Sequence, residues 1–326
     1  MLHYALGNPP IRRLTQASRA FFEAPPDGPD EAPVATILPI LTPARVDEVD
    51  ALKALADDLA PFTELEWLDN DDLRRECPVL RIGPGEAEQG FIDRTALKLD
   101  GHGLLQKYER TLRKQGGEVR SNARVASIGR KAYTWLVRTE RGETYEAPTL
   151  VNAAGSWADA VAVLAGETPV GLEPMRRTII VFDAPKGIDV ARLPFTKTVP
   201  DEVYFGPEAG RIFASPMDEI PTDPCDAQPE EYEMALAAHR VEKRTIMKVE
   251  RIVHRWAGLR TFAPDRLPVV GFAPDAPGFF WLAGQGGSGL QTAPAIAAIT
   301  ASLITGTPWP VPDIQPAELS PGRLLG

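Results

Sequence analysis

Residues 282–295 read Leu-Ala-Gly-Gln-Gly-Gly-Ser-Gly-Leu-Gln-Thr-Ala-Pro-Ala and constrain this chain more than any other stretch. They follow an apolar run at 279–283 and lead into a long apolar segment, 290–304. A strand, then glycines, then a helix is the order in which a backbone turns sharply and bares a helix start. Free N–H groups and the positive end of the helix dipole then point the same way, toward an anion or an electron-rich carbonyl. Gly284, Gly286 and Gly289 match the GxGxxG spacing of a dinucleotide site. Such a site also needs an acid about 20 residues on, and here that position is the Thr305-Gly306 helix end. A nicotinamide site would thus lack half of its βαβ unit, and a tight turn made only for close packing is a further reading.

Two other blocks carry chemistry. Leu150-Val-Asn-Ala-Ala-Gly-Ser-Trp-Ala-Asp is an apolar strand running into a small-residue turn, where a ligand or another backbone can approach closely. Arg255-Trp-Ala-Gly-Leu-Arg-Thr-Phe-Ala-Pro-Asp-Arg-Leu-Pro-Val-Val-Gly places Arg260 at the end of a strand beside a glycine. A guanidinium there can fork onto a carboxylate, and a structural ion pair is the alternative. His254 and Trp256 share its strand face by alternation, with His254 read as a supporting residue rather than a base.

Composition narrows the partners. A net charge of -10 without a basic tract argues against nucleic acid and anionic membrane. No apolar run is long enough to span a bilayer, and the N-terminus does not read as a signal peptide. Cys77 and Cys225 have no CxxC partners, which suits a reducing, cytoplasmic compartment and no metal site.

Periodicity predicts helices at 9–22, from Pro43 to 59, at 70–76, from Asp93 to Gln115, from Ser156 to Leu164 with Ser156 and Asp159 as a capping-box-like start, at 229–246 and at 290–304. Strands are expected at 34–41, 65–68, 118–119, 125–128, 133–139, 144–147, 149–153, 177–183, 202–205, 211–215, 248–259 and 279–283. Residues 24–33, rich in Pro, Asp and Gly, read as a loop.

In this order and separation the blocks resemble the FAD-dependent D-amino-acid oxidase, glycine oxidase and sarcosine oxidase family, with its D-arginine dehydrogenase branch the most similar. Asn8 to Phe22, Cys77-Pro78-Val79-Leu80-Arg81, Leu150 to Gly166, Arg255 to Phe262 and Leu319-Ser320-Pro321 carry the likeness along nearly the whole chain. It implies a two-domain α/β (α+β) flavoprotein. An FAD domain with a parallel sheet would gather 1–24, 90–166 and 256–326, and a substrate domain with a mixed or antiparallel sheet would gather 25–89 and 167–255.

The resemblance also implies roles. Gly284, Gly286, Gly287, Ser288, Gly289, Leu290, Gln291 and Thr292 would face the flavin ring, Gly287 at the reacting end. Ala153, Ala154, Gly155 and Trp157 would line the diphosphate and ribose, and Val125 the adenine. Arg260 would bind the substrate carboxylate, assisted by Arg177 and Tyr204. FAD would be non-covalent, since no cysteine lies near Arg260. The partner would be a small amino acid or amine oxidised by hydride transfer from Cα to flavin N5, with the electron acceptor left open. Ile40, Leu6 and His254 would line the substrate pocket. The D-arginine branch carries an acid and a tyrosine where Ile40 and Leu6 stand, so a small or apolar substrate is expected. Family members open with a strand, a GxGxxG turn, a helix and a strand ending in Glu, roughly forty residues that this sequence starts beyond. Weak FAD binding by the chain alone is therefore expected, and a non-catalytic remnant with an empty cleft is the alternative to an amine dehydrogenase.

Overall fold

The computed structural model describes residues 1–24 and 33–325. In chain order the elements are α1 (Pro9–Glu23), β1 (Ala35–Ile37), β2 (Ile40–Ala44), α2 (Val49–Leu59), β3 (Glu66–Leu68), α3 (Asn70–Glu76), β4 (Gln89–Asp93), β5 (Leu97–Leu99) and α4 (Gly101–Lys114). Next come β6 (Val125–Lys131), β7 (Thr134–Thr139), β8 (Thr144–Ala147), β9 (Leu150–Asn152), α5 (Ala158–Leu164), β10 (Glu173–Phe182), β11 (Phe195–Lys197), β12 (Tyr204–Glu208), β13 (Arg211–Ser215) and β14 (Ile220–Pro221). The chain ends with α6 (Glu231–Arg244), β15 (Ile252–Phe262), β16 (Val269–Phe272), β17 (Phe279–Ala283), α7 (Gly289–Thr305) and α8 (Pro316–Leu319).

The chain divides into two compact units. A sheet unit gathers Met1–Ala5, Thr36–Lys98 and Met175–Leu259, and a glycine-loop unit gathers Leu6–Ala35, Leu99–Pro174 and Arg260–Gly326.

In the sheet unit the strands run in the order β14-β10-β13-β12-β11-β2-β4-β3, with β15 also on β10. Only the β11–β2 step of that order is parallel. One face packs Ile180, Phe182, Phe205 and Ile212 with Ala237 and Val241 of α6. The other face carries Ile40, Phe195, Tyr204 and Phe213. Strand pairing sets these faces, because side chains alternate across a pleated sheet.

In the glycine-loop unit β17 lies between antiparallel β16 and parallel β9. Ile11 and Leu14 of α1 and Ala295, Ile296 and Ile299 of α7 cover one face through Phe280. Trp135 of the antiparallel β6-β7-β8 sheet and Ala158 and Ala162 of α5 lie with Phe279 and Trp281 on the other. Burial of each such large side chain contributes on the order of 1.5–3 kcal/mol. α1 starts as its sequence dictates, with Pro9 at the first turn and the Asn8 side chain accepting from Ile11 N at 3.3 Å.

Several expectations are corrected. Pro43 lies inside β2, and the helix begins beyond it, after a 3₁₀ turn at Val46–Glu48. β4 pairs with all of β2, but β11 pairs only with Ile40 and Leu41, so the missing N–H of Pro43 costs no bond on the β11 side. The single helix expected over 93–115 is β4's end, β5 and then α4. Asp93 ends its strand by accepting from Thr95 N and Oγ1 at 2.8 and 2.7 Å, and Asp100 caps α4 through Gly103 N at 2.9 Å. Residues 118–119 form no strand, and the strand expected from 248 begins at Ile252. Ser156 caps nothing. It lies in a 3₁₀ turn, and Asp159 instead accepts from Val170 N and Leu172 N at 3.1 and 2.8 Å. The loop expected at 24–33 falls, between its end residues, outside the described residues.

Candidate functional site

The glycine block forms a strand-to-helix corner. Gly284 and Gly286 hold φ of 71° and 54°, a left-handed conformation that glycine adopts without cost. Gly286 N donates to Thr261 O at 2.9 Å, tying the loop to the end of β15. A Cβ on Gly286 would lie 2.3 Å from Cε1 of Phe262, and one on Gly287 would lie 3.0 Å from Nη1 of Arg260. These two glycines are required because alternate side chains of β15 already fill that space. The Ser288 hydroxyl donates to Gln285 O at 3.0 Å, and no side chain caps α7. The first intrahelical bond runs from Thr292 N to Ser288 O at 3.1 Å, so the N–H groups of Gly289, Leu290 and Gln291 form the helix start. The Gln291 amide donates to Thr15 Oγ1 at 2.8 Å and the Thr292 hydroxyl to Ser288 O at 3.0 Å, so both side chains brace the helix.

The second turn is open. Gly155 holds φ of 58°, and a Cβ there would meet nothing within 4 Å. Asn152, which sequence reasoning passed over, builds this turn: its amide donates to Ala158 O at 2.8 Å and its carbonyl accepts from Ala154 N at 3.4 Å. The asparagine was visible in the Val-Asn-Ala-Ala-Gly block as the one polar residue of an otherwise apolar strand. Ala153 and Trp157 are exposed, and Val125 opens β6 with partial exposure. Leu6, also in this unit, is half-buried.

In the sheet unit, register collects Ile40, Tyr204 and Arg177 on the face opposite α6. Ile40 pairs with Phe195, and Phe195 and Phe213 flank Tyr204 at ring separations of 5.3 and 6.1 Å. Tyr204 lies directly opposite Lys197, which is buried and paired with Asp201. Nothing in the sequence singles out Lys197, because only the β11–β12 register puts it beside Tyr204. Arg177 is committed within the protein: Nε donates to Asp218 O, and Nη2 reaches Glu219 at 3.4 Å. Its buried Nη1 has no hydrogen-bond partner. His254 is exposed and lies against Trp256 at 5.4 Å between ring centroids.

Among the described residues no group of three or more His, Cys, Asp or Glu side chains gathers as a metal site would, and no helix is long and apolar enough to cross a membrane. Cys77 is buried, and desolvation pushes its thiol up to about 12, too high for a nucleophile. A surface groove of about 440 Å³ between Phe182 and Arg251 contains none of the candidate site residues.

Known proteins agree with this architecture. The chain is 24% identical over 255 residues to hydrogen cyanide synthase subunit HcnC of Pseudomonas aeruginosa, covering 78% of this chain and 59% of that protein. It is 29% identical over 187 residues to glycine oxidase of Pseudomonas putida, covering 55% of this chain and 47% of that one. Among solved structures, L-proline dehydrogenase from P. horikoshii superposes with a TM-score of 0.78 at 19% identity, over 97% of this chain and 82% of that one. Glycine oxidase from Geobacillus kaustophilus does so with a TM-score of 0.78 at 19% identity, over 96% and 83%. At such identities the likeness is one of fold, and the chain spans between about half and three-fifths of the length of the two curated relatives. The profile described as FAD dependent oxidoreductase matches residues 1–303, and the chain belongs to that family, whose cofactor is FAD.

Proposed function

We propose that this protein oxidises the C–N bond of a D-amino acid or a related secondary amine, giving an imine that water hydrolyses. FAD would supply the acceptor for the hydride that leaves Cα, while the amine nitrogen gives up a proton. The observation that carries the reading is the position of Arg260. Its guanidinium is fixed against Gly287, at the start of the uncapped helix α7. A group that forks onto a carboxylate is thereby set beside the N–H groups suited to the electron-rich edge of a flavin.

The chain's residues fit FAD at two places. Gly284 to Gly289 bare the start of α7 toward the ring, where the helix dipole favours the negative charge of reduced flavin. Ala153, Ala154, Gly155 and Trp157 line an open cradle for the diphosphate and ribose, with Val125 toward the adenine. In this reading 6–35, 99–174 and 260–326 hold the cofactor, non-covalently, and the sheet unit holds the substrate's side chain. Tyr204 and the remaining donor of Arg177 assist Arg260, while His254 supports the strand. Ile40, Leu6 and the Lys197 ammonium put no negative charge where a substrate side chain would end, so basic side chains are disfavoured.

Arg260→Ala should cost about 3 kcal/mol, on the order of a hundredfold in kcat/KM, as the loss of a charged pair does. Unchanged kcat/KM would remove Arg260 from the site. In a substrate screen, uncharged D-amino acids and N-methyl amino acids should outperform D-arginine and D-lysine. A clear preference for D-arginine defeats the assignment of Ile40 and Lys197.

A further inference from the structure

We infer that Phe262, steadied by Arg266, is a positioning residue that fixes the glycine loop before α7 and, with it, the Arg260 guanidinium. The inference concerns the chain's own packing and touches function only through the FAD reading above.

Arg260 and Phe262 are two apart on β15 and so project to the same side of the strand. Consecutive loop glycines sit on them. Cε1, Cδ1 and Cζ of Phe262 lie 2.3, 2.7 and 3.2 Å from where a Cβ of Gly286 would be. Nη1, Cζ and Nε of Arg260 lie 3.0, 3.1 and 3.4 Å from that of Gly287. The ring edge and the guanidinium thus fill the space that a side chain on either glycine would need, so loop and side chains can move only together. The backbone closes the arrangement, with Gly286 N on Thr261 O at 2.9 Å and a bridge between Phe262 and Gln285.

Behind Phe262 stands Arg266, whose guanidinium carbon lies 3.8 Å from the ring centroid, well within cation–π range. Arg266 reaches that place from a left-handed backbone, φ 60°, at the end of a turn closed by Arg266 N on Ala263 O at 2.8 Å. A non-glycine residue in that conformation carries a strain that surrounding contacts must hold. The ring is thus gripped between a cation and a glycine. The groups for the cofactor edge and for the substrate carboxylate rest on one support, so a change at Phe262 reaches both.

Backbone amide hydrogen exchange on the full chain tests this without cofactor or substrate. Phe262→Ala should speed exchange of the hydrogen-bonded Gly286, Ser288 and Thr292 amides tenfold or more and leave β11 to β13 unchanged, while Phe262→Tyr restores protection. Phe262→Leu, which keeps apolar volume but not the flat ring, should lie between and serves if the alanine variant does not fold. Arg266→Ala should give about threefold, recovered by Arg266→Lys. On FAD-loaded protein, the dissociation constants for FAD and for acetate, read by flavin fluorescence and absorbance, should rise together in Phe262→Ala. Unchanged loop exchange in folded Phe262→Ala or Phe262→Leu overturns the inference, as does a rise in only one of the two constants. Faster loop exchange in protein that takes up no FAD in any form would uphold the support and defeat the cofactor reading instead.

Discussion

The two units hold their polar groups with different materials. In the glycine-loop unit the work falls on backbone and hydroxyls: Gly286 N on Thr261 O, Ser288 on Gln285 O, Ala295 N on Ser18 Oγ. In the sheet unit it falls on charges. Arg244 lies between Glu48 and Glu202, Arg176 meets Glu230 and Glu233, and Arg177 meets Asp218. A corner made of backbone is vulnerable to the addition of one carbon. A buried charge network is vulnerable to the loss of one partner, because the other is left desolvated. Damage should therefore appear as altered ligand grip in one unit and as unfolding in the other.

The largest effect is expected at Arg244. Its Nη atoms reach the Glu48 carboxylate at 2.6 and 3.1 Å, and Glu48 is 5% exposed. Arg244→Met leaves buried Glu48 to Arg45 alone and Glu202 to the exposed Lys243, at a cost of about 3 kcal/mol or more. Urea unfolding of the variant measures it. A loss below about 1 kcal/mol, the scale of surface pairs, would show that charges do not hold the sheet unit.

Glycine substitutions come next and separate backbone conformation from space. Gly155→Ala and Gly286→Ala both force a left-handed alanine, which costs roughly 1–2 kcal/mol. Only at Gly286 does the new carbon also meet the Phe262 ring, at 2.3 Å. Gly286→Ala should lose a further 1–3 kcal/mol to overpacking and weaken FAD binding more than Gly155→Ala does. Thermal unfolding and flavin titration of the two variants decide it, and equal losses would mean that Phe262 yields freely.

The same contrast explains what could be read from the sequence. α1, β17, the glycine block and α7 are contiguous, and each carries its own cap, period or turn, so they stand out without any knowledge of partners. Arg260 was legible because strand end and glycine sit side by side in the chain. Lys197 was not, since its place beside Tyr204 exists only in the pairing of β11 with β12. Ile40, Tyr204 and Arg177 came from family likeness, and strand register is what gathers them on one face. Pro43 misled because proline suits both a helix start and a stretch of strand with one side unpaired. The apparent helix over 93–115 joined Leu97 to the Leu104 face, although Leu97 and Leu99 belong to a period of two. Gly286 and Gly287 were legible as necessary glycines, but the side chains that require them, Phe262 and Arg260, lie 24 and 27 positions away.

The smallest expected effect concerns charge in the glycine-loop unit, whose ion pairs, such as Arg13 with Glu318, are part-exposed. Arg323 reaches Asp265 at 2.6 and 3.1 Å and also donates to Leu267 O at 3.0 Å, pinning the C-terminal turn to the segment after β15. Partial burial alone would raise the Asp265 carboxyl, but the Arg323 bonds and the Leu267 N–H outweigh it and hold the group below the usual aspartate range. A carboxyl lowered in the folded state adds stability that is fully present above its unfolded pKa and is lost as pH falls through the folded value. Asp265 is about a third exposed, so solvent screens the pair and its contribution should be about 0.5–1 kcal/mol. Asp265→Asn should therefore be less stable than the parent at pH 7 by that amount, and the two should converge as the pH is lowered well into the acid range. Urea midpoints measured along that titration provide the check. A gap that persists unchanged at low pH would assign the stabilisation to the shape of the turn, leaving ion pairs no part in holding the glycine-loop unit at this point.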